Sequence, residues 1–592
     1  MSAQELITEH LDLWAEAVTK KSTSGRGSNG KIELTGIKKL RELILELAFQ
    51  GKLTKQISTD EPAQDYLDRA KTELEESGKE LAKWKRSVVL PVDSKPFAIP
   101  KGWSWERFGH VGLVASSRRV LQGDWQDHGV PFYRAREIVK LSQQGFVDNE
   151  LFISEHLFSE LAENGHIPEE NDLMLTGVGT IGVPYIVRQD DKFYFKDASV
   201  LVFKNFFGLN PQFLYYFCNT PFWKKSIHEG SMGTTVHTLT IARANQILIP
   251  IPPVEEQHRI VQKVDELMAL CDQLEQQTSD QLTAHETLVD TLLGTLTQSG
   301  NATELAENWA RLSAHFDTLF TTEQSIDKLK QTILQLAVVG RLVEQDAGDG
   351  PIVQLLERVS HEKQNLVRSK VLKRAKSLAS LDTSALSSIP ERWSWVNLGD
   401  IISVMDAGWS PACPPRPAAL GKWGVLKTTA VQVMKYQGFE NKQLPDNKEP
   451  KEQYEVRSGD ILITRAGPKN RVGISCVVKE TRDKLMISDK IIRFHLVEAG
   501  LSEEYICLCL NAGETYRYLE KAKSGMAESQ MNISQDKLKA APIPLCPIDE
   551  QHLIVQKVDE LMALCDQLKV RLNQASETRC QLAEAVVSQA VN

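Results

Sequence analysis

The chain has 592 residues and a formal net charge of −9, with 42% hydrophobic and 25% charged residues. This length predicts about three to five domains, and the net charge excludes a surface that is basic all over, although a local basic patch remains possible. The charged, amphipathic N-terminus, the lack of any apolar run near ~20 residues and nine cysteines without a pairing framework favour a cytoplasmic protein over a secreted or membrane protein.

The first 95 residues predict a helical region. Its segment IKKLRELILELAFQGKL (residues 37–53) places apolar residues at helical spacing. Nearly the same text returns as IDKLKQTILQLAVVGRL (residues 326–342). We therefore expect residues 1–95 to form an N-terminal helical region that holds the first copy of a repeated helix.

Residues 96–253 are expected to form an α+β domain. Short β-type runs such as DLMLTGVG and FYFKDASVLVF are broken by turn residues and are followed by helical segments. The domain opens with IPKGWSWERFGHV, and this opening returns at residues 389–401 as IPERWSWVNLGDI. Arg and Lys beside turns can donate to phosphate oxygens, which makes this domain a candidate for nucleic-acid contact. The candidate residues here are Arg118, Arg119, Tyr133, Arg134, Arg136 and Thr176.

Residues 254–388 are expected to form a central helical region. They contain EQHRIVQKVDELMALCDQLE, which returns from residue 550 as EQHLIVQKVDELMALCDQLK. Apolar residues alternate steps of four and three, which predicts coiled-coil packing of a helix about 60 Å long. Polar residues late in this stripe would either set the register or mark the end of tight packing. The predicted seam is Ile260, Val264, Leu267, Cys271, Leu274, Thr278, Gln281, His285, Leu288 and Leu292 in the first copy, and Ile554, Val558, Leu561, Cys565, Leu568, Leu572, Ala575, Arg579, Leu582 and Val586 in the second.

Residues 389–547 are expected to form a second α+β domain, and residues 548–592 a C-terminal helix. The hairpin GDILITRAGPKNRVGISCVV (residues 459–478) parallels NDLMLTGVGTIGVPYIV (residues 171–187) in the first domain. Its loop is basic and glycine-rich, so it can approach a groove closely and offer cations and backbone amides to phosphate. The candidates for nucleic-acid contact in this domain are Arg465, Lys469, Asn470, Arg471 and Lys490.

The order of the repeated segments indicates a tandem duplication in circularly permuted form. One unit runs from the Trp-Ser-Trp segment to the ILQLA helix, whereas the ILELA helix of the other stands at the N-terminus. We therefore expect a pseudo-two-fold molecule whose termini meet. Polar residues recur at matched positions on the two long helices, which predicts two equivalent docking surfaces for one kind of partner. The alternative is that the helices are similar only because they pack against each other. That alternative explains the apolar seam but not the matched polar residues. The matched residues are Gln262, Lys263, Asp265, Glu266, Gln556, Lys557, Asp559 and Glu560.

Motifs for catalysis or cofactor binding are unpersuasive. Gly177-Val-Gly179-Thr-Ile-Gly182 matches a dinucleotide fingerprint, but β-branched VPYIV follows where a helix N-terminus would have to present its amides. PDNKEPK (residues 445–451) has the letters of a metal-dependent nuclease site, but it crowds them into one turn. The chain lacks GxxxxGK[ST] and the Pro-Pro signature of amino-methyltransferases, and no nucleophile–base set stands out. These patterns favour a non-catalytic protein.

Together these features resemble the specificity subunit of a Type I restriction–modification system. The resemblance rests on the paired WSW…G entries, the two IPxxPxxEQ exits into long helices, the GDILITRAG-type hairpin and the ILELAFQGKL and ILQLAVVGRL helices, and it covers essentially the whole chain. It implies two α+β target-recognition domains, each reading one half of a split asymmetric DNA site. It also implies two modification subunits and two restriction subunits as partners, and the length and N-terminal segment are most similar to the Type IB branch.

The resemblance further implies that the chain itself holds no cofactor. S-adenosylmethionine for adenine methylation, ATP and Mg²⁺ would belong to the partner subunits. The TGVGTIG loop of the first domain departs from the pattern, because it lacks the basic residues of TRAGPKNRVG. Two other classes stay open: an enzyme in its own right, which adding S-adenosylmethionine or Mg²⁺ to protein and DNA would reveal, and a coiled-coil scaffold, which a salt-dependent gel shift would exclude.

Overall fold

A computed structural model describes residues 9–20, 32–77, 95–229, 238–300, 302–346, 348, 350, 352–370 and 381–591. The chain divides into two compact units, Met1–Leu282 with Gln574–Asn592, and Thr283–Asn573. Within the described ranges, no helix combines the length and the apolar character needed to cross a membrane.

The N-terminal part of the first unit consists of helices and a short hairpin. In the helix that carries the ILELA text, Ile37, Leu40, Ile44, Leu47 and Ala48 are buried. Their spacing places them on one face of the helix, so this face covers the core. The elements are α1 (Leu11–Glu16), β1 (Thr19–Lys20), β2 (Ile32–Glu33), α2 (Thr35–Phe49) and α3 (Ala63–Ser77).

The α+β domain of the first unit combines small sheets with short helices. The strands are β3 (Ser104–Arg107), β4 (Leu113–Ser116), β5 (Val130–Tyr133), β6 (Phe152–Ile153), β7 (Leu173–Thr176), β8 (Pro184–Ile186), β9 (Tyr194–Phe195), β10 (Val200–Lys204) and β11 (Leu248–Ile251). The helices are α4 (Ala135–Gln144), α5 (Glu155–Asn164), α6 (Pro211–Phe217), α7 (Pro221–His228) and α8 (Ile241–Gln246), with 3-10 turns at Phe108–His110 and Gln122–Asp124. All residues of β7 and β10 are buried, which explains their continuous apolar runs.

The strands of this domain form three groups. β4, β10, β7 and β8 make an antiparallel sheet in that order, β6, β5 and β9 make a second sheet, and β3 pairs with β11. A long helix, α9 (Val254–Gln298), follows β11. Its residues Ile260, Val264, Leu267 and Cys271 pack into the same hydrophobic core as α2, and Ala583 from the C-terminal segment joins them.

The second unit repeats this plan. Its helices are α10 (Ala302–Ala314), α11 (Phe316–Leu319), α12 (Glu323–Val338), α13 (Ile352–Arg368), α14 (Leu398–Ile401), α15 (Glu503–Asn511), α16 (Gly513–Ala522), α17 (Gln535–Lys539) and α18 (Ile548–Val591), with 3-10 turns at Thr383–Ala385, Thr428–Ala430, Glu452–Tyr454 and Lys469–Arg471. Its strands are β12 (Ser394–Asn397), β13 (Ile402–Ala407), β14 (Gly424–Leu426), β15 (Val431–Gln432), β16 (Lys435–Tyr436), β17 (Asn441–Gln443), β18 (Ile461–Thr464), β19 (Ala466–Gly467), β20 (Ser475–Val477), β21 (Leu485–Met486), β22 (Ile491–Leu496), β23 (Met531–Asn532) and β24 (Pro542–Leu545).

The two α+β domains share one topology. The sheet β13-β22-β18-β20 repeats β4-β10-β7-β8, the pair β12–β24 repeats β3–β11, and β17-β14-β21 repeats β6-β5-β9, with one parallel pair in each. The second domain also has the pairs β15–β16 and β19–β23, and among the described residues of the first domain an isolated antiparallel bridge joins Val178 to Thr238. The predicted α+β fold with a permuted tandem repeat is confirmed.

The predicted seam holds in the first half of each long helix and is wrong by one residue in the second half. Leu288 is 50% exposed whereas Val289 is 1% exposed, and Leu582 is 52% exposed whereas Ala583 is 1% exposed. A helix of 3.6 residues per turn drifts away from a strict 3.5-residue repeat, so the buried face moves to the next residue after several turns. The late polar residue His285 accordingly lies beside Thr318, with its Nε2 at 3.1 Å from the Thr318 carbonyl oxygen.

One of the two differences between the repeated helices is explained by charge pairing. In the first unit, Arg41 of α2 donates to Glu275 at 2.8 Å. In the second unit, the equivalent position carries Lys569, which contacts Asp327 of α12 at 3.0 Å. Each long helix therefore matches the short repeated helix of its own unit, with the charges reversed at this contact.

Candidate nucleic-acid interface

The two hairpin loops after β7 and β18 are closed from inside by equivalent threonines. Thr176 and Thr464 are both fully buried. The Thr176 hydroxyl donates to the Thr180 carbonyl at 2.5 Å and accepts from the Val183 amide at 2.9 Å. Thr464 likewise accepts from the Ile474 amide, at 3.2 Å. Thr176 therefore fixes the shape of its loop, and its predicted contact with nucleic acid stays a prediction.

The loop TRAGPKNRVG (residues 464–473) is called the basic loop below. Its residue Arg471 points into its own domain. Its guanidinium donates to Gln432 Oε1 at 3.0 Å and to the carbonyl oxygens of Thr428 and Val431, each at 2.9 Å. Burial of this group lowers the pKa of Arg471. The residue anchors the loop to the 3-10 turn at Thr428–Ala430, and its predicted contact with nucleic acid stays a prediction.

Lys469 fastens the basic loop to a second loop, residues 524–532. Its Nζ lies 2.9 Å from Glu528 Oε1, and its amide donates to the Glu528 carbonyl at 2.7 Å. The pairing of β19 with β23 closes the same junction. This second loop presents Met526 with its full surface exposed, at 104% of the reference value. The sequence did not predict this exposed loop, because a lone Met in SGMAESQ carries no recognisable pattern.

The remaining candidates of the second domain differ in exposure. Asn470 and Lys490 are exposed. Arg465 is partly buried; its amide donates to the Lys490 carbonyl at 2.9 Å, and its Nε is buried without a hydrogen-bond partner among the described residues. Arg465 and Lys490 therefore lie side by side at the base of the basic loop.

In the first domain, two of the predicted arginines are engaged by acids of the domain itself. Arg134 contacts Glu137 at 3.0 Å, and Arg136 contacts both Glu137 and, at 2.6 Å, Glu150. Although burial acts to raise it, the hydrogen bonds from these two arginines lower the pKa of Glu137. Arg134 and Arg136 therefore share one ion-pair network with Glu137, and their contact with nucleic acid stays a prediction.

The other predicted residues of the first domain are placed more simply. Tyr133 packs its ring on Phe193 with 4.8 Å between centroids. Arg118 and Arg119 are exposed shortly after β4, and the Arg118 amide donates to the Tyr194 hydroxyl at 2.9 Å. Arg118 and Arg119 therefore form an exposed basic pair on this domain.

The repeated WSW and EQ segments meet in each unit as a Trp–Glu clamp. Trp103 Nε1 donates to Glu256 Oε2 at 2.9 Å, and Trp393 Nε1 donates to Glu550 Oε2 at the same distance. Both carboxylates are almost fully buried. The clamp joins the entry of each α+β domain to the start of the long helix that leaves it. Both segments recur in the sequence, and their joint recurrence is the signal that could have indicated this contact.

The residue after each clamp carboxylate adds a second bond of the same kind. Gln257 Oε1 accepts from the Asn210 amide at 2.9 Å, and Gln551 Oε1 accepts from the Ser502 amide at 3.0 Å. Asn210 and Ser502 are the N-cap residues of α6 and α15. Each α+β domain is thus fixed to its long helix at two points.

The predicted docking residues lie at the surface of the long helices. Lys263 contacts Glu266 at 3.0 Å, and Lys557 contacts Glu560 at 3.3 Å. One further residue, missed in the sequence because it is apolar, is exposed at equivalent positions: Leu270 at 48% and Leu564 at 60%. The residues placed at this surface are Gln262, Lys263, Asp265, Glu266, Gln556, Lys557, Asp559 and Glu560.

A family model described as Type I restriction modification DNA specificity domain matches residues 100–284 and 390–577. The chain belongs to the Type I restriction–modification specificity family. It is 45% identical to the Type I restriction enzyme EcoEI specificity subunit of Escherichia coli, with 100% of both chains covered. It is 34% identical to the EcoAI specificity subunit of Escherichia coli, again over 100% of both chains. A solved chain from a study of complex assembly in the type I R-M system aligns at 18% identity with a TM-score of 0.45, over 84% of this chain and 99% of that chain.

In this member of the specificity family, the described residues hold no group of three or more His, Cys, Asp or Glu side chains that could bind a metal ion. Its buried thiols are also poor nucleophiles. Burial raises the pKa of Cys507 to about 12, so the reactive thiolate is scarce near neutral pH. The two α+β domains offer surfaces for recognition, in keeping with a recognition subunit.

Proposed function

We propose that this chain reads a split, asymmetric DNA site, one half with each α+β domain. The observation that carries the proposal is one sheet topology repeated twice with different exposed loops. A shared framework holds two readers in equivalent local settings, while unlike loops recognise unlike bases. Specificity then comes from side chains that reach base edges in the groove.

In the second domain, the reading surface is the basic loop together with the loop at residues 524–532. Lys469 and Arg471 hold these loops in place, which leaves Asn470 and Lys490 exposed for base or phosphate contacts. Met526 stands clear of the domain and is suited to an apolar contact, such as a thymine methyl group. In the first domain, Arg118 and Arg119 have the equivalent role.

The matched helix surfaces dock two copies of a modification subunit. Leu270 and Leu564 each provide an exposed apolar centre, and the charged residues around them form a polar rim, as protein interfaces commonly have. The long helices repeat their text because one kind of partner binds twice. Two restriction subunits complete the assembly, and S-adenosylmethionine, ATP and Mg²⁺ act in the partners, which methylate adenine and cut DNA in the cytoplasm.

We propose that the chain is divided into domains at the limits that the sequence predicts. Residues 96–253 and 389–547 are the target-recognition domains, and residues 1–95, 254–388 and 548–592 form the helical regions between and around them. Assignment to the Type IB branch is part of the same proposal and rests on the length and N-terminal segment.

The proposal is tested by mapping methylated adenines in cells that carry the complete system. The double variant Asn470→Ala/Lys490→Ala should relax the bases read by the second domain and leave the other half-site unchanged. The matched double variant Arg118→Ala/Arg119→Ala should affect the other half-site only. A lost base contact is expected to cost about 1–3 kcal/mol of discrimination.

Binding of the assembled complex to DNA separates base contacts from phosphate contacts. Each lost phosphate contact should lower the slope of log K against log salt by about one unit, without changing the sequence read. Unchanged methylation patterns and salt slopes in both double variants would show that other surfaces read the DNA. Methylation by the purified chain alone would identify it as an enzyme.

A further inference from the structure

A cavity of about 240 Å³ opens in the first unit beside α2 and α7. Four phenylalanines line it: Phe97 and Phe222 meet edge to face at 5.9 Å, and Phe49 and Phe217 lie 5.5 Å apart. Glu46 of α2 lines the same cavity. Electron-rich ring faces combined with an acid form a site that favours a positive charge.

The Glu46 carboxylate is available for a ligand. It makes no hydrogen bond or ion pair with the described residues, and burial together with the charge of Glu42 raises the pKa of Glu46. The charge of Lys39 acts to lower the pKa of Glu46, but the Lys39 ammonium contacts two other acids, Glu42 at 3.4 Å and Glu584 at 3.5 Å. Lys225, at the cavity wall, is highly exposed and contacts Glu229 at 3.7 Å.

The second unit provides an internal comparison, because its elements match those of the first. The hydrogen bonds from the Asn210 and Ser502 amides set α6–α7 in register with α15–α16. In this register Phe222 corresponds to Glu514, and Lys225 corresponds to Arg517. Arg517 Nη1 contacts Glu514 Oε1 at 2.7 Å, and Ser387 donates to the same oxygen.

The carboxylate of the second unit is therefore satisfied by a guanidinium from its own chain. Ser387 stands where the first unit has Phe97, and Gln335 stands where it has Glu46. The first unit has instead an acid, a set of rings and open space, and Lys225, at the position of Arg517, contacts Glu229 rather than Glu46. What the first unit lacks, compared with its repeat, is a guanidinium paired with a carboxylate of the site.

We propose that this cavity binds a single arginine side chain of a partner protein. A planar guanidinium stacks on aromatic faces and forms forked hydrogen bonds to a carboxylate, and the cavity volume suits one such group. Because the second unit has Gln335 in place of Glu46 and pairs Glu514 with Arg517, the described residues of the second unit do not repeat this site. The partner that uses it docks once, unlike one that binds the matched helix surfaces twice.

The test uses the full-length chain and N-acetyl-L-arginine amide, a blocked arginine that represents a residue within a protein. Binding is followed by isothermal titration and by saturation-transfer NMR. N-acetyl-L-citrulline amide has nearly the same shape without the charge, and it should bind about tenfold more weakly or not detectably. Equal binding of the two compounds, or no binding of the arginine amide, would overturn the proposal.

Variants assign the binding to this cavity. Glu46→Gln should weaken arginine amide binding about tenfold, whereas Glu42→Gln, one turn earlier on α2, should leave it within twofold. The double variant Phe222→Glu/Lys225→Arg introduces the pair of the second unit and should abolish binding even if Glu46→Gln proves unstable. Unaltered binding in both site variants would place the ligand elsewhere, and tighter binding of free arginine than of the amide would indicate a metabolite site and overturn the partner assignment.

Discussion

At the scale of one residue, the variant Arg471→Ala distinguishes two roles for Arg471. The side chain either contacts DNA directly or anchors the basic loop to the rest of the domain. Arg471→Ala should lower the free energy of unfolding by about 1–3 kcal/mol, because Gln432 and two carbonyl oxygens lose their donor. Lys490→Ala, on an exposed side chain, should change it by less than ~0.5 kcal/mol. Denaturant unfolding of the full chain measures both. Native stability with lost DNA affinity in Arg471→Ala would support direct contact between Arg471 and DNA.

Local sequence identified the basic segments but could not tell which of their cations remain free. The acid that engages Lys469 lies 59 residues away, and the acid that pairs with Arg136 beside Glu137 lies 14 residues away. Such pairs depend on the folded chain and leave no periodic signal. Arg118, Arg119, Asn470 and Lys490 are exposed as a nucleic-acid contact requires, and their contacts to DNA remain predictions.

At the scale of elements, a glycine after each repeated short helix fixes the turn toward the Trp–Glu clamp. Gly51 and Gly340 have φ of 68° and 71°, and a Cβ on either would lie 2.4 or 2.5 Å from a proline Cγ. Gly51→Ala and Gly340→Ala should each destabilise their own unit by about 1–3 kcal/mol. Gly294→Ala is the control, because it lies within α9 with open space around it and should be neutral or stabilising by up to ~1 kcal/mol. Differential scanning calorimetry measures all three, and equal behaviour of the three variants would contradict this reading of the turns.

The long helices carry the prediction for docking. Leu270→Asp and Leu564→Asp should each remove one modification subunit from the assembly, and the double variant should remove both, since a buried charge at an apolar contact is costly. The control is Leu553→Arg, which copies Arg259 of the first repeat and should preserve both copies. Sedimentation of the chain with the modification subunit gives the number bound. Two bound copies in the double variant would exclude this surface.

The helices also show how far periodicity alone can go. The repeated text and the stripe predicted the existence of both long helices and the burial of Ile260, Val264, Ile554 and Val558. The predicted stripe was wrong late in each helix, because a heptad template ignores the drift of a straight α-helix. The apolar periodicity also gave no indication that the short repeated helices share a core with the long ones, since only the fold brings them together.

At the scale of the whole molecule, the permuted order can be reversed by engineering. Residues 574–591 belong to the same unit as the N-terminal helices, and Ser576 Oγ donates to the Val18 carbonyl at 2.8 Å while Lys52 Nζ donates to the Ala590 carbonyl at 3.2 Å. In the first unit, the C-terminal end of α18 and the N-terminal helices belong to opposite ends of the chain. In the second unit, the equivalent elements follow one another along the chain, because α9 is followed by α10 and then α11. His10 and His315, the N-cap residues of α1 and α11, adopt nearly the same backbone angles, with φ of −116° and −117°.

We therefore expect a chain whose last residue is joined to Met1 by a short linker, and which is reopened between Gly348 and Gly350, to fold and to direct the same methylation pattern. Both glycines are exposed, and the new ends would fall between the short repeated helix and the second α+β domain, so that the repeated segments would run in the same order in both halves of the chain. Its melting temperature should lie within ~4 °C of the parent, because the linker replaces only a loop closure. The control is the same linker with the chain reopened inside β18, whose residues are all buried; this permutant should not fold. An unfolded Gly348/Gly350 permutant, or a folded one with a changed methylation pattern, would show that the two ends carry a function beyond closing the repeat.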